Sequence, residues 1–246
     1  MRTYSIGDIH GQRAELERVH TLIEADRKRT GDAEAPVVHI GDLCDRGPDT
    51  RGVIEFLMAG QARGENWVVL KGNHDRLMHW FLEPFPRHDP YLLVGYTWLH
   101  ERIGGHESLE SYGVTYSDRD RVFRVHADAR SAVPQAHIDY LSSLPLTYER
   151  GDCFFCHAGI RPGLPLRDQT ETDLLWIREE FHDSTADHGK LIVHGHTPVD
   201  HATHYGNRIN LDTGAGYGRP IQPVVIEGRD AWLLTEDGRV PLPRGA

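Results

Sequence analysis

The residues best suited to chemistry in this chain are carboxylates, imidazoles and an amide that recur at or just after short apolar runs. They are Asp8 and His10, Asp42 with Asp45, Asn73 with His74, His157, and His194 with His196. Residues far apart in sequence meet when each follows a strand, because strand ends line up along one edge of a sheet. Asp8 and His10 are two apart, so at a strand end both can point to one side. Gly41 permits a sharp turn just before Asp42. Carboxylate oxygen, imidazole nitrogen and amide oxygen together suit Mn, Fe, Zn or Ni rather than a thiolate-dominated site. This many such groups exceed what one tetrahedral ion needs. They fit two divalent metals sharing a bridging carboxylate, the clamp used in phosphoester hydrolysis. The remaining histidines, His79, His137, His182 and His204 among them, lack this placement and read as surface or cap residues.

The elements that must position these groups are short apolar runs alternating with helical periodicity, the pattern of an α/β protein. Residues 3–7, 37–40 and 67–70 read as strands. Leu16, Val19, Leu22 and Ile23 mark the first helix, and Val53, Ile54, Leu57 and Met58 the second; a third opens at Gly72-Asn73-His74-Asp75 and runs to about Leu82. Three strand-loop-helix units imply right-handed crossovers and a largely parallel sheet. From 83 to 144 the pattern weakens, with Pro84, Pro86, Pro90 and Gly104-Gly105, and reads as a small helical cap inserted in a single domain of residues 1–246. Trp98, Tyr112 and Gly113 in it read as cap core, or else as residues that shape a pocket. The second half is richer in strands: a hairpin over 146–157, then runs at 191–194, 208–211, 223–227 and 232–235, which suggest a second sheet facing the first. The tail from Pro241 to Ala246 reads as frayed.

Composition narrows the function. The 246 residues carry 27 Lys and Arg against 37 Asp and Glu, a net charge of −10, which argues against coating nucleic acid with a basic stripe. No apolar run approaches the roughly 20 residues of a membrane span. Asp8 and His10 inside the first apolar stretch leave no room for a secretory leader, so a cytoplasmic location is expected. Three cysteines, an odd set, agree with a reducing compartment. Cys153 and Cys156 form a C-x-x-C within a strand, where odd spacing sends the side chains to opposite faces, so buried thiols are expected rather than a redox or zinc pair.

The motifs G-D-I-H-G (7–11), G-D-L-C-D-R-G (41–47), G-N-H-D (72–75), H-A-G (157–159) and H-G-H-T (194–197) resemble those of the calcineurin-like metallophosphoesterases, and within them the phosphoprotein phosphatase family and its bacterial members. The stretches L-L-W-I-R-E-E-F (174–181) and N-L-D-T-G-A (210–215) sharpen the likeness. The resemblance implies a four-layer α/β/β/α sandwich with two mixed sheets. It makes Asp8, His10 and Asp42 ligands of a first metal, with Asp42 bridging to a second that Asn73, His157 and His196 complete. His194 is left beside the ligands rather than among them. His74 resembles the family's general acid and Asp45 its orienting partner; Arg46 and Arg178, with Asn73, resemble the groups that bind substrate phosphate. Two divalent ions, with Mn the first choice for reconstitution, would supply a bridged hydroxide for in-line attack on phosphorus.

The family likeness points first to a serine/threonine phosphoprotein phosphatase. The alternative is a dinucleoside polyphosphate hydrolase of the diadenosine tetraphosphate type, which Asp75 favours, since eukaryotic protein phosphatases usually carry Glu there. A nuclease fits poorly with the net charge and the D-R-G motif. A non-catalytic scaffold fits poorly with a complete ligand set and the acid histidine. Expected partners are therefore a phosphoprotein or a phosphorylated small molecule or nucleotide, with no stable nucleic-acid binding and no membrane.

Overall fold

The first 82 residues fold as three consecutive β-α units: β1 (Arg2–Ile6), α1 (Arg13–Thr30), β2 (Val37–His39), α2 (Thr50–Ala62), β3 (Trp67–Val69) and α3 (Asn73–Leu82). β1, β2 and β3 pair in parallel. The helical periodicity works as expected: Leu16, Val19 and Ile23 on α1, and Val53, Ile54 and Leu57 on α2, are fully buried against the sheet, while Leu22 and Met58 flank them half-buried. Asp49 starts α2 by accepting a hydrogen bond from Gly52 N at 2.8 Å, satisfying one of the unpaired amides of the first turn. The structure is a computed structural model and describes residues 1–117 and 119–245. Asp118 of the insertion and Ala246 of the tail lie outside the described residues.

The insertion carries α4 (Gly105–Ser111), α5 (Val122–Ala132) and α6 (Gln135–Ser143). These helices do not enclose a core of their own. Trp98, Leu109, Val125, Ala129 and Leu141 belong to the same apolar cluster as Leu16, Val53 and Leu77, so the insertion extends the outer helical layer over α2 and α3. Among its histidines, His137 is buried and bonded to the Tyr112 hydroxyl at 2.8 Å.

The second half supplies β4 (Thr147–Arg150), β5 (Cys153–Cys156), α7 (Glu171–Trp176), α8 (Glu179–His182), β6 (Leu191–His194), β7 (Thr203–His204) and β8 (Arg208–Asn210). Then follow β9 (Val224–Glu227), β10 (Asp230–Thr235) and β11 (Gly238–Pro241). The second sheet has the order β4-β5-β6-β8-β7. The runs at 223–227 and 232–235 correct the expectation that the later strands all build this sheet: they return to the first, whose order is β11-β10-β9-β1-β2-β3. The reason is that β1 is buried on both faces, Tyr4 and Ile6 on one and Thr3 and Ser5 on the other, and cannot remain an open edge. β9 covers it in antiparallel register, Thr3 opposite Ile226 and Tyr4 opposite Val225. The tail is also corrected. Pro241 is paired with Trp232, Leu242 is buried, and Arg244 bridges to His204, so the chain is held to within a residue of its end. That packing buries His204, which therefore is not a surface histidine.

The layers follow from which faces are apolar. Helices α1 to α3 cover the outer face of the first sheet. Val38, Ile40, Phe155, Val193, Ile209 and Val224 fill the space between the sheets, and Phe154, Cys156 and Ile192 meet Phe181 and Leu174 on the outer face of the second. This is an α/β/β/α sandwich with two mixed sheets. Cys153 faces the inter-sheet core and Cys156 the outer helices, on the opposite faces that their spacing requires. Both are free thiols, as is Cys44. No helix among the described residues is long and apolar enough to cross a membrane.

Candidate active site

The carboxyl ends of β1, β2 and β3 in one sheet and of β5 and β6 in the other open onto a common cleft, and most of the singled-out residues sit on the loop or helix start that follows. Asp8 and His10 follow β1; Asp42, Asp45 and Arg46 follow β2; Asn73 and His74 open α3; His157 follows β5; His196 follows β6. Loops from separate units are stitched together by their backbones. Ile9 N and His10 N both donate to Asp42 O, at 3.0 and 2.7 Å, and Gly195 N donates to His157 O at 2.7 Å. Gly41, at φ +99°, approaches so closely that a Cβ there would stand 2.5 Å from Gly72 N, which is how the β2 and β3 loops come together. Among the described residues, the non-glycine positions with positive φ are His10, Asp42, Asp45, Arg46 and His196, each a predicted site residue.

Hydrogen bonds fix which ring nitrogens face the cleft. A backbone carbonyl only accepts, so His10 Nδ1 donates to Cys44 O at 2.8 Å and His157 Nδ1 donates to Ile40 O at 3.0 Å. Both Nε2 atoms are left as lone pairs turned inward. Burial, with the neighbouring His74 and Arg46 charges, holds His10 well below its ordinary pKa, and burial brings His157 to about 4, so both rings are neutral, with lone pairs able to bind a cation. His157 Nε2 lies 2.8 Å and His196 Nδ1 2.9 Å from Asn73 Oδ1. Asp42 reaches both sides, with Oδ2 3.5 Å from His10 Nε2 and Oδ1 3.4 Å from His157 Nε2. Two groups of donor atoms result, His10 with Asp42 and His74, and Asp42 with His157 and His196. Asp8 stands alongside, both carboxylate oxygens 3.2 Å from His196 N.

This donor set fits metal. A lone pair on His157 Nε2 pointing at an amide oxygen 2.8 Å away is repulsive unless a cation lies among them. The same holds for the carboxylates. Burial, reinforced by Asp212 and Asp42, raises Asp8 well above the carboxylate range, and burial pushes Asp42 to about 6. A cation would reverse both shifts. Asp212, the third carboxylate of this group, is a residue that sequence reasoning passed over although it lies in the N-L-D-T-G stretch. It is 3% exposed, and its Oδ1 accepts from Gly214 N at 2.8 Å.

His74 and its supports form the second part of the site. His74 Nδ1 meets Asp45 Oδ2 at 2.7 Å, which turns Nε2 to the cleft, 3.2 Å from Arg46 Nη2. Asp45 is fully buried and receives Trp98 Nε1 at 3.0 and 2.9 Å and Ser108 Oγ at 2.7 Å. Burial pushes Asp45 up to about 7 against the pull of these two donors. Ser108 went unseen in the sequence, and Trp98 stood out only as an aromatic of the insertion. Arg46 Nη1 also lies 3.3 Å from His10 Nε2, and Arg178, exposed before α8, donates to Thr197 Oγ1 at 3.2 Å.

Two residues are placed away from the cleft. His194 Nδ1 donates to Gly195 O at 3.2 Å and its Nε2 accepts from Arg208 at 3.3 Å, so neither nitrogen faces the donor groups. Asp75 is buried and caps the backbone, accepting Gly72 N and Leu43 N at 2.8 Å each. Its carboxylate ties two loops together and presents nothing to a substrate, which removes it as a direct reader of substrate class.

Buried carboxylates and imidazoles that could hold metal, gathered between two sheets beside two arginines, suit metal-assisted hydrolysis of a phosphoester. Residues 1–218 match the calcineurin-like phosphoesterase family, and the chain belongs to it. It is 25% identical to the bis(5'-nucleosyl)-tetraphosphatase PrpE [asymmetrical] of Bacillus mycoides (strain KBAB4), over 87% of this chain and 85% of that one. It is 27% identical to serine/threonine-protein phosphatase 1 of Salmonella typhimurium, over 87% and 86%. Its fold resembles that of a solved protein provisionally described as a diadenosine tetraphosphatase, with a TM-score of 0.61 and 21% identity over 99% of this chain and 95% of that one.

Proposed function

We propose that this metallophosphoesterase hydrolyses dinucleoside polyphosphates of the diadenosine tetraphosphate type rather than phosphoproteins. The observation that carries the reading is the match to the Bacillus mycoides tetraphosphatase along nearly the full length of both chains. The likeness to the Salmonella typhimurium phosphatase supports protein dephosphorylation as the second reading.

Asp8, His10 and Asp42 would hold one divalent ion, and Asp42, Asn73, His157 and His196 the other. Such a pair lowers the pKa of water and neutralises phosphoryl oxygens. The chain's own residues do the rest. Arg46 and Arg178, on either side of the ligands, grip non-bridging oxygens and stabilise the charge that develops on them. His74 Nε2, turned to the cleft because Nδ1 is held by Asp45, would give a proton to the departing oxygen from the protonated ring, and Asp45, fixed by Trp98 and Ser108, sets the ring's direction and favours its charge.

The test is kcat/KM for the Mn-reconstituted protein on diadenosine tetraphosphate and on a phosphothreonine peptide, with products separated by chromatography. A larger value on the dinucleotide, with AMP and ATP as products, is expected. A larger value on the peptide would overturn the reading in favour of the protein phosphatase.

A further inference from the structure

Arg46 joins the metal ligands to the surface. One end of its guanidinium touches His10 and His74, and its central carbon lies 5.2 Å from the centre of the Tyr217 ring. Tyr217 ends the short 3-10 turn Ala215–Tyr217, whose middle residue, Gly216, packs against His10 and Arg46. The turn is seated firmly. Ala215 is buried, its carbonyl accepts Gln12 Nε2 at 3.3 Å, and Gly216 packs so tightly that a Cβ would meet His10 Cδ2 at 2.7 Å. The ring on this anchored turn is nevertheless 66% exposed. A rigid aromatic face left in solvent beside a phosphate-gripping arginine matches one chemical group, a nucleobase one ribose away from its own phosphate.

We infer that Tyr217 is the platform on which one base of the substrate stacks, with Arg46 on the α-phosphate of the same nucleoside. The inference rests on the dinucleotide reading and names what recognises the base within it. Stacking needs a flat ring and no particular hydrogen bond, so it discriminates nucleotides from base-free phosphoesters while tolerating different bases. A second exposed aromatic, Tyr91, stacks on Trp176 at 6.1 Å, and Trp176 lies edge-on to His196 at 5.9 Å on the other side of the cleft. It is the competing platform.

The experiment compares the wild type with Tyr217→Leu, Tyr217→Phe and Tyr91→Leu, all Mn-loaded. The readout is the ratio of kcat/KM on diadenosine tetraphosphate to that on p-nitrophenyl phosphate. Stacking energies predict a fall of about tenfold in Tyr217→Leu and retention within about twofold in Tyr217→Phe. In the His74→Asn background, the dissociation constant for the dinucleotide should weaken by the same factor on adding Tyr217→Leu. An unchanged ratio in Tyr217→Leu, or a fall in Tyr91→Leu instead, overturns the platform while leaving the dinucleotide reading intact. A wild type that turns over the phosphopeptide but not the dinucleotide overturns both.

Discussion

Replacing Trp98 by Phe tests whether His74, the proposed acid, is controlled from the insertion. The phenyl ring keeps the packing against Phe81, whose ring centre is 4.8 Å away, and removes only the N–H that Asp45 accepts at 3.0 and 2.9 Å. A hydrogen bond to a charged group contributes about 1.5–3 kcal/mol. At about 1.36 kcal/mol per decade, losing all of it at the transition state would slow the reaction about 10- to 150-fold. Ser108 still holds Asp45 Oδ1 at 2.7 Å, so a loss near the lower end is expected. It should depend on the leaving group, because proton donation matters most where the departing oxygen is basic. Steady-state kinetics on phenyl and p-nitrophenyl phosphate should show kcat falling about tenfold for phenol and about threefold or less for nitrophenol. In a His74→Asn background Trp98→Phe should change little further, since both act through one ring. Equal losses on the two esters, or losses that multiply in the double variant, would refute the chain from Trp98 through Asp45 to His74.

Three other outcomes are expected. Metal analysis after reconstitution should find both ions retained in His74→Asn, with turnover down at least 100-fold, and metal lost together with activity in Asp42→Asn. Burial would raise Asp26, but hydrogen bonds from Arg239, Arg29 and Tyr4 outweigh it and lower the group from 3.8 to about 2. Its stabilisation is therefore present above pH 3.8 and lost as pH falls through about 2, so thermal melts of Asp26→Asn should lie below wild type at pH 6 and converge with it near pH 2. His39 Nδ1 donates to Val68 O, leaving Nε2 to accept from His20 Nε2 at 3.0 Å, and burial lowers His20 to about 2 and His39 to about 4. The unfolded chain takes up these protons below pH 6.5 and the folded chain does not. Stability should thus decline from pH 6.5 towards 4 in urea titrations, and less steeply in His20→Phe.

The meeting of these residues at one cleft was legible because each follows an apolar run, and parallel strands bring such positions to one edge without any knowledge of the loops. The supports were not legible. Ser108 and Trp98 lie 63 and 53 residues from Asp45, and nothing local in the sequence marks a hydroxyl or an indole as a carboxylate donor. Asp75 was visible as the last residue of G-N-H-D, but its part in the fold was not, since a motif does not say that a carboxylate three residues into a helix serves the backbone. The return of β9 to β1 escaped because a short apolar run does not say which sheet it joins; the open edge of β1 decides that.

The left-handed backbone of His10, Asp42, Asp45, Arg46 and His196 bears on how such a protein changes over generations. Non-glycine residues held there cost on the order of 1–3 kcal/mol each. Glycine at any of the five would relieve that cost, so selection for heat resistance alone rewards erasing the very side chains that make the cleft. Variants bred for stability without a screen for turnover should accumulate their gains at this edge and end as inert sandwiches. The reserve for improving the fold without disarming it lies at the far side of the sheets, where no described residue other than glycine is asked to hold such a shape.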